Sequence, residues 1–152
     1  MAPRLRMTFC VSPQTTAAHR CSVLVVDNDA DVRELLRLTL TAEGYEVSAV
    51  EHGRAALHHL RSHAETCIIV LDLMRPGMDG AKFRAAQLRD RSLAWIPIVA
   101  MTGGVDAGAQ ARAFSARAFI RKPLDLDHVR RTLRTIGCCH ARPRGGFGVD
   151  LD

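Results

Sequence analysis

The chain has 152 residues, 47% of them hydrophobic and 24% charged, a length that suits one domain with tails and excludes two full-sized ones. No run approaches the roughly 20 apolar residues that span a bilayer, and the stretch after Arg4 and Arg6 is interrupted by Ser12, Pro13 and Gln14 too soon for an export signal, so a soluble, cytoplasmic protein with no membrane partner is expected. The formal charge of +5 includes Arg4, Arg6 and Arg20, which lie in a leader without acidic residues; with no aromatic residues interleaved in a basic stripe and no helix-turn-helix, nucleic acid is excluded as the expected partner.

Residues 1–21 mix Pro3, Ser12, Pro13, Gln14, Thr15 and Thr16 without a sustained period and are expected to form a flexible leader. Order is predicted to begin at Ser22, where Ser22-Val23-Leu24-Val25-Val26 has the apolar, β-branched character of a strand covered on both faces. From Asp29 to Glu43 the apolar Val32, Leu35, Leu36, Leu38 and Leu40 recur among charged residues, a helical face closed by Gly44. The alternation then repeats: strand over Tyr45–Val50, helix over Arg54–Arg61, buried strand over Thr66–Leu71, helix over Ala81–Arg89. It continues with strand over Trp95–Met101, short helix over Ala107–Phe114, strand over Ala118–Arg121 and helix over Leu126–Ile136.

Five strand–helix units in series predict a doubly wound α/β domain over residues 22–137, with a five-stranded parallel sheet of flavodoxin-like type, because parallel strands require right-handed crossovers. Residues 138–152 contain Gly145, Gly146 and Gly148, show no periodicity and are expected to form a flexible tail. The five cysteines, an odd count in a chain with no export signal, are expected to be free thiols. Cys138, Cys139 and His140 form too short a cluster to close a tetrahedral metal site without distant donors.

Ligand sites in such sheets lie beyond the carboxyl ends of the strands. There the first strand delivers Asp27-Asn28-Asp29, the third Asp72, the fourth Thr102 and the fifth Lys122-Pro123. Carboxylates, a hydroxyl and a lysine in one crevice suit a divalent cation and a phosphoryl group. Neither a Gly-x-Gly-x-x-Gly nor a Gly-Lys-Ser/Thr loop follows the first strand, which argues against a dinucleotide or ATP enzyme. Taken singly, Asp72 or Thr102 would serve as a cap and Lys122 as a surface charge. Against the last reading, Lys122 and Lys82 are the only lysines in an arginine-rich chain, and a retained lysine supplies a compact point charge.

The motifs Val25-Val26-Asp27, Asp72-Leu73-Met74-Arg75-Pro76-Gly77-Met78-Asp79-Gly80, Val99-Ala100-Met101-Thr102 and Lys122-Pro123 together resemble the response-regulator receiver family over about Ser22 to Gly137. The resemblance implies a phosphoacceptor signalling domain rather than an enzyme, with Asp72 taking a phosphoryl group from a histidine kinase or a histidine phosphotransfer protein. It further implies Mg²⁺ held by Asp27, Asp72 and the backbone carbonyl of Met74, a phosphoryl contact from Thr102, an ion pair from Lys122, a cis peptide before Pro123 and an aromatic switch at Phe119. A packed core role is the other reading of Phe119.

Several positions depart from the family pattern. Asn28 stands where a second acidic residue is usual, so weakened Mg²⁺ binding is expected, and Asp29 is assigned to capping the following helix. The resemblance implies that Met74 and Gly104 flank the path of an attacking water, which neither can orient, and so predicts a long-lived phospho-Asp72. Ser115-Ala116-Arg117 replaces the usual small-residue turn before the fifth strand, and the glycine-rich Gly103–Gly108 segment is expected to be mobile. The face formed by the fourth helix, fifth strand and final helix carries Arg112, Arg117, Arg121, Arg130, Arg131 and Arg134 and is the expected surface for a downstream protein target. The alternative function is a phosphorylation-independent interaction module in which Asn28 has impaired Mg²⁺ binding.

Overall fold

The computed structural model describes residues 20–63, 65–73 and 80–137. The leader up to residue 19, the tail from 138 and Met74 lie outside these residues, as does the Cys138-Cys139-His140 cluster. Among the described residues ten elements alternate: β1 (Ser22–Val26), α1 (Ala30–Ala42), β2 (Glu46–Val50), α2 (Gly53–Ser62), β3 (Thr66–Asp72), α3 (Gly80–Arg89), β4 (Ile98–Thr102), α4 (Ala107–Ala113), β5 (Ala118–Arg121) and α5 (Leu126–Ile136). The strands pair in parallel in the order β2-β1-β3-β4-β5. Winding therefore reverses between β1 and β3, and the crevice that this creates opens at their carboxyl ends.

Every residue of β3 and β4 is buried, and alternate strand positions feed two separate cores, as the two-residue strand period requires. Val23, Val25, Ile68 and Val70 pack with Leu36 and Leu40 of α1 and Val129 and Leu133 of α5. Leu24, Val26, Ile69 and Leu71 pack on the other face with Ala56 and Leu60 of α2 and Phe83 of α3. Each fully buried leucine or isoleucine contributes about 1.5–3 kcal/mol by leaving water.

Helix ends follow from local chemistry. Asp29 caps α1, its Oδ1 accepting from the amides of Asp31 at 2.9 Å and Val32 at 3.4 Å. Gly44, at φ 95°, closes the same helix, with its own amide donating to Thr41 and that of Tyr45 to Leu40. The same two-bond ending closes α4: Ser115 donates to Arg112 and Ala116 to Ala111. There Ser115, a residue with a Cβ, occupies the left-handed position at φ 56°.

β4 starts at Ile98 rather than at the expected Trp95. Amides of Leu93 and Ala94 donate back to Asp90, and that of Ile96 to Leu93, so the chain turns here; Pro97 then has no N–H to give a ladder. The buried Gln87 stabilises this turn, its Nε2 donating to the carbonyls of Leu93 and Ile96, both at 3.0 Å. Cys67 is disulfide-bonded, which corrects the expectation of a free thiol at that position.

Candidate functional site

Four strands bring their last residues to one end of the sheet. Asp27 follows β1, Asp72 ends β3, Thr102 ends β4 and Lys122 follows β5. Register enforces the convergence, because Val26 is level with Leu71, Asp72 with Met101, and Thr102 with Arg121. Apolar runs over residues 23–26, 67–71 and 98–101 lead into Asp27, Asp72 and Thr102, whereas in the shorter β5 the charged Arg121 comes immediately before Lys122.

Lys122 organises the acidic residues. Its Nζ lies 3.0 Å from Asp27 Oδ2 and 3.2 Å from Asp72 Oδ2, and the Lys122–Pro123 peptide that precedes the last loop is cis. The Asp27 side chain is fully buried and that of Asp72 is 5% exposed. Burial by itself pushes the Lys122 ammonium down, but the hydrogen bond to Asp27 and the charges of Asp72 and Asp27 outweigh it and hold its pKa above the usual lysine value. Two further bonds orient Asp27: its Oδ1 accepts from the Asp29 amide at 2.8 Å, and its carbonyl accepts from Arg33 Nη1 at 2.8 Å.

Thr102 is placed differently from Lys122. It is completely buried, and its hydroxyl donates to Gln110 Oε1 of α4 at 2.6 Å. Gln110 had no distinguishing signal in the sequence: a glutamine in a short polar helix is unremarkable until the packing of α4 on the sheet is known. Phe119 in β5 is 37% exposed, and its ring lies over Gly108 of α4, where an added Cβ would meet it at 3.8 Å.

The site opens into a cavity of about 310 Å³ lined by Asp72, Leu73, Gly80, Gln110 and Phe114 among others. A larger crevice of about 910 Å³ lies between α2 and α3, lined by Arg54, His58, Arg61 and Lys82, and contains none of the converging strand-end residues. The donor set suits Mg²⁺: two buried carboxylates offer hard oxygens in one place, and this ion commonly takes one or two carboxylates with water completing its octahedron. Asn28 is exposed beside them and adds an amide oxygen without charge. Among the described residues, no group of three or more His, Cys, Asp and Glu side chains could hold a metal ion, and no helix is long and apolar enough to cross a membrane.

The basic face of α4, β5 and α5 is partly neutralised. Arg130 and Arg134 pair with Glu43 at 3.2 and 2.8 Å, and Arg121 donates to the Gly104 carbonyl. Arg112, Arg117 and Arg131 are exposed.

The family model for the response regulator receiver domain matches residues 23–134. Among curated proteins, the chain is 30% identical over 116 residues to the regulatory protein AtoC of Escherichia coli, covering 75% of this chain and 24% of AtoC. It is 33% identical over 123 residues to the response regulator MprA of Mycolicibacterium vanbaalenii, covering 75% of this chain and 49% of MprA. The chain thus spans half or less of the length of these relatives. Among solved structures, the chemotaxis response regulator CheY4 of Vibrio cholerae superposes with a TM-score of 0.70 at 27% identity, covering 78% of this chain and 99% of CheY4.

Proposed function

Because the chain belongs to the response regulator receiver family of two-component signalling, we propose that Asp72 is its phosphoacceptor, charged by a phosphohistidine on a histidine kinase or phosphotransfer protein. The observation that carries this reading is Lys122 Nζ held between Asp27 and Asp72 at 3.0 and 3.2 Å. In the transfer, an Asp72 carboxylate oxygen attacks phosphorus. The new P–O bond forms as the P–N bond to the donor imidazole breaks, and the imidazole leaves with the electron pair and takes a proton from water.

Lys122 keeps its charge through this step, which lets it follow the anion from carboxylate to phosphoryl oxygen. Thr102 donates its hydroxyl proton to a second phosphoryl oxygen, and Phe119 moves inward as Thr102 shifts. Bound Mg²⁺ supplies positive charge against the phosphoryl oxygens. Asp27, Asp72, the Asn28 amide and the Met74 carbonyl would hold it, with lower affinity than a three-carboxylate site gives. Met74 and Gly104 offer no group to orient water, so the acyl phosphate is expected to persist; a half-life of seconds in the purified protein would overturn that expectation. Output follows through a protein target on the face of α4, β5 and α5, and the cytoplasm is the compartment where such a relay operates.

Intact mass after incubation with a small phosphodonor and Mg²⁺ tests the reading. One phosphoryl group should add to the wild type and none to Asp72→Ala. No addition to either protein would instead favour the phosphorylation-independent interaction module, for which the uncharged Asn28 is the motivating residue.

A further inference from the structure

We infer that Gln110 is a positioning residue that holds Thr102 away from Asp72 and must release it before the phosphoryl group can be bound. The inference rests on the phosphoacceptor reading of Asp72 and adds to it the partner that Thr102 must leave. A threonine hydroxyl has one proton and donates it to one acceptor at a time. In this structure that proton is given to Gln110 Oε1 at 2.6 Å, whereas Lys122 already faces Asp72 at 3.2 Å. The two groups that would receive the phosphoryl group are therefore in different states of readiness.

Burial sharpens the competition. Thr102 is fully buried, so water does not replace Gln110 cheaply, and loss of a partner for a buried hydroxyl is unfavourable. Gln110 also lines the cavity into which Asp72 opens. A phosphoryl group growing from Asp72 thus enters the space that Gln110 borders and competes with its amide oxygen for the same proton. The release has a route to the surface, because Gln110 and Gly108 belong to the seven-residue α4 and the Phe119 ring lies over Gly108. A ligand shifts such an equilibrium only by its differential affinity for the two arrangements; removing Gln110 removes the competing one.

Two measurements on wild type, Gln110→Leu, Thr102→Ala and the double variant test this, with thermal melts to establish folding. First, three-bond NMR couplings report the Thr102 χ1 rotamer in the absence of any phosphodonor. A single rotamer is expected in wild type and averaging in Gln110→Leu; an unchanged rotamer overturns the inference. Second, the dissociation constant for beryllofluoride, a phosphoryl mimic, is read at saturating Mg²⁺. Gln110→Leu should bind about 2- to 10-fold more tightly, the range that one net hydrogen bond commands, and this gain should vanish in the Thr102→Ala background. A gain that persists without Thr102, or no gain with Thr102 present, overturns it. If none of the proteins binds beryllofluoride, the phosphoacceptor reading fails, and the rotamer comparison alone decides whether Gln110 holds Thr102.

Discussion

Lys122 reaches from the end of β5 to Asp27 at the end of β1, across 95 residues of sequence, and makes there a contact of 3.0 Å that is shorter than its 3.2 Å contact with Asp72. Two intervening strands, β3 and β4, separate β1 from β5 in the sheet. The lysine therefore ties the two halves of the domain together while it offsets part of the charge of a pair of buried carboxylates.

Replacing Lys122 with Met should leave those carboxylates opposed without a cation. Breaking a buried ion pair costs about 3–5 kcal/mol; with the Lys122 side chain 21% exposed, about 2–3 kcal/mol is expected in urea unfolding at neutral pH with chelator present. Added Mg²⁺ should recover part of it. The pH dependence has a definite sign: the folded-state pKa of Lys122 is raised above 10.5. Its contribution is complete below 10.5 and is lost as pH rises through the raised value, so wild type should show an alkaline loss of stability that Lys122→Met lacks.

Asn28→Asp should tighten Mg²⁺ binding. A unit charge about 4 Å from the ion near a surface is worth up to about 4 kcal/mol before solvation, and a gain of about tenfold in affinity is expected after that cost. Titration of Mg²⁺ by calorimetry measures it. Equal affinity in both proteins, or saturation of wild-type phosphorylation at micromolar Mg²⁺, would remove Asn28 as the cause of a weak site.

Gln87→Leu should destabilise the fold without touching the site. The Ile96 carbonyl would lose its Nε2 donor, and Arg84 Nη1 would lose the Gln87 oxygen at 2.8 Å; the Leu93 carbonyl keeps the amide of Ile96. A buried polar group left unsatisfied costs about 1–3 kcal/mol, which a shift in the urea midpoint at unchanged slope would report.

Ser115→Gly should act in the opposite direction. A side chain in the left-handed region costs about 1–2 kcal/mol, and the greater freedom of unfolded glycine returns up to about 1 kcal/mol of that. A net stabilisation of about 0.5–1 kcal/mol is expected in the same assay. An unchanged midpoint would mean that Ser115 is not strained at φ 56°.

The sequence by itself determined the order and type of all ten elements, the parallel sheet and the identity of the residues at the strand ends. Those features follow from local rules: short apolar runs cannot stay in water, Asp29 and Gly44 satisfy helix ends within their own turns, and a polar residue that ends a buried apolar run falls at the carboxyl end of the sheet. Tertiary structure decided what each polar group meets there. The partner of Thr102 is Gln110, the shorter bond of Lys122 goes to Asp27, and the start of β4 waits for the turn held by Gln87. Each of these is a side-chain hydrogen bond between different parts of the fold, whether 8 and 9 residues apart as for Thr102 and Gln87 or 95 apart as for Lys122, selected by how the elements pack. For that reason the four strand-end residues are legible in the pattern of the sequence, whereas the packing alone aims Lys122 at Asp27 and Thr102 at a helix.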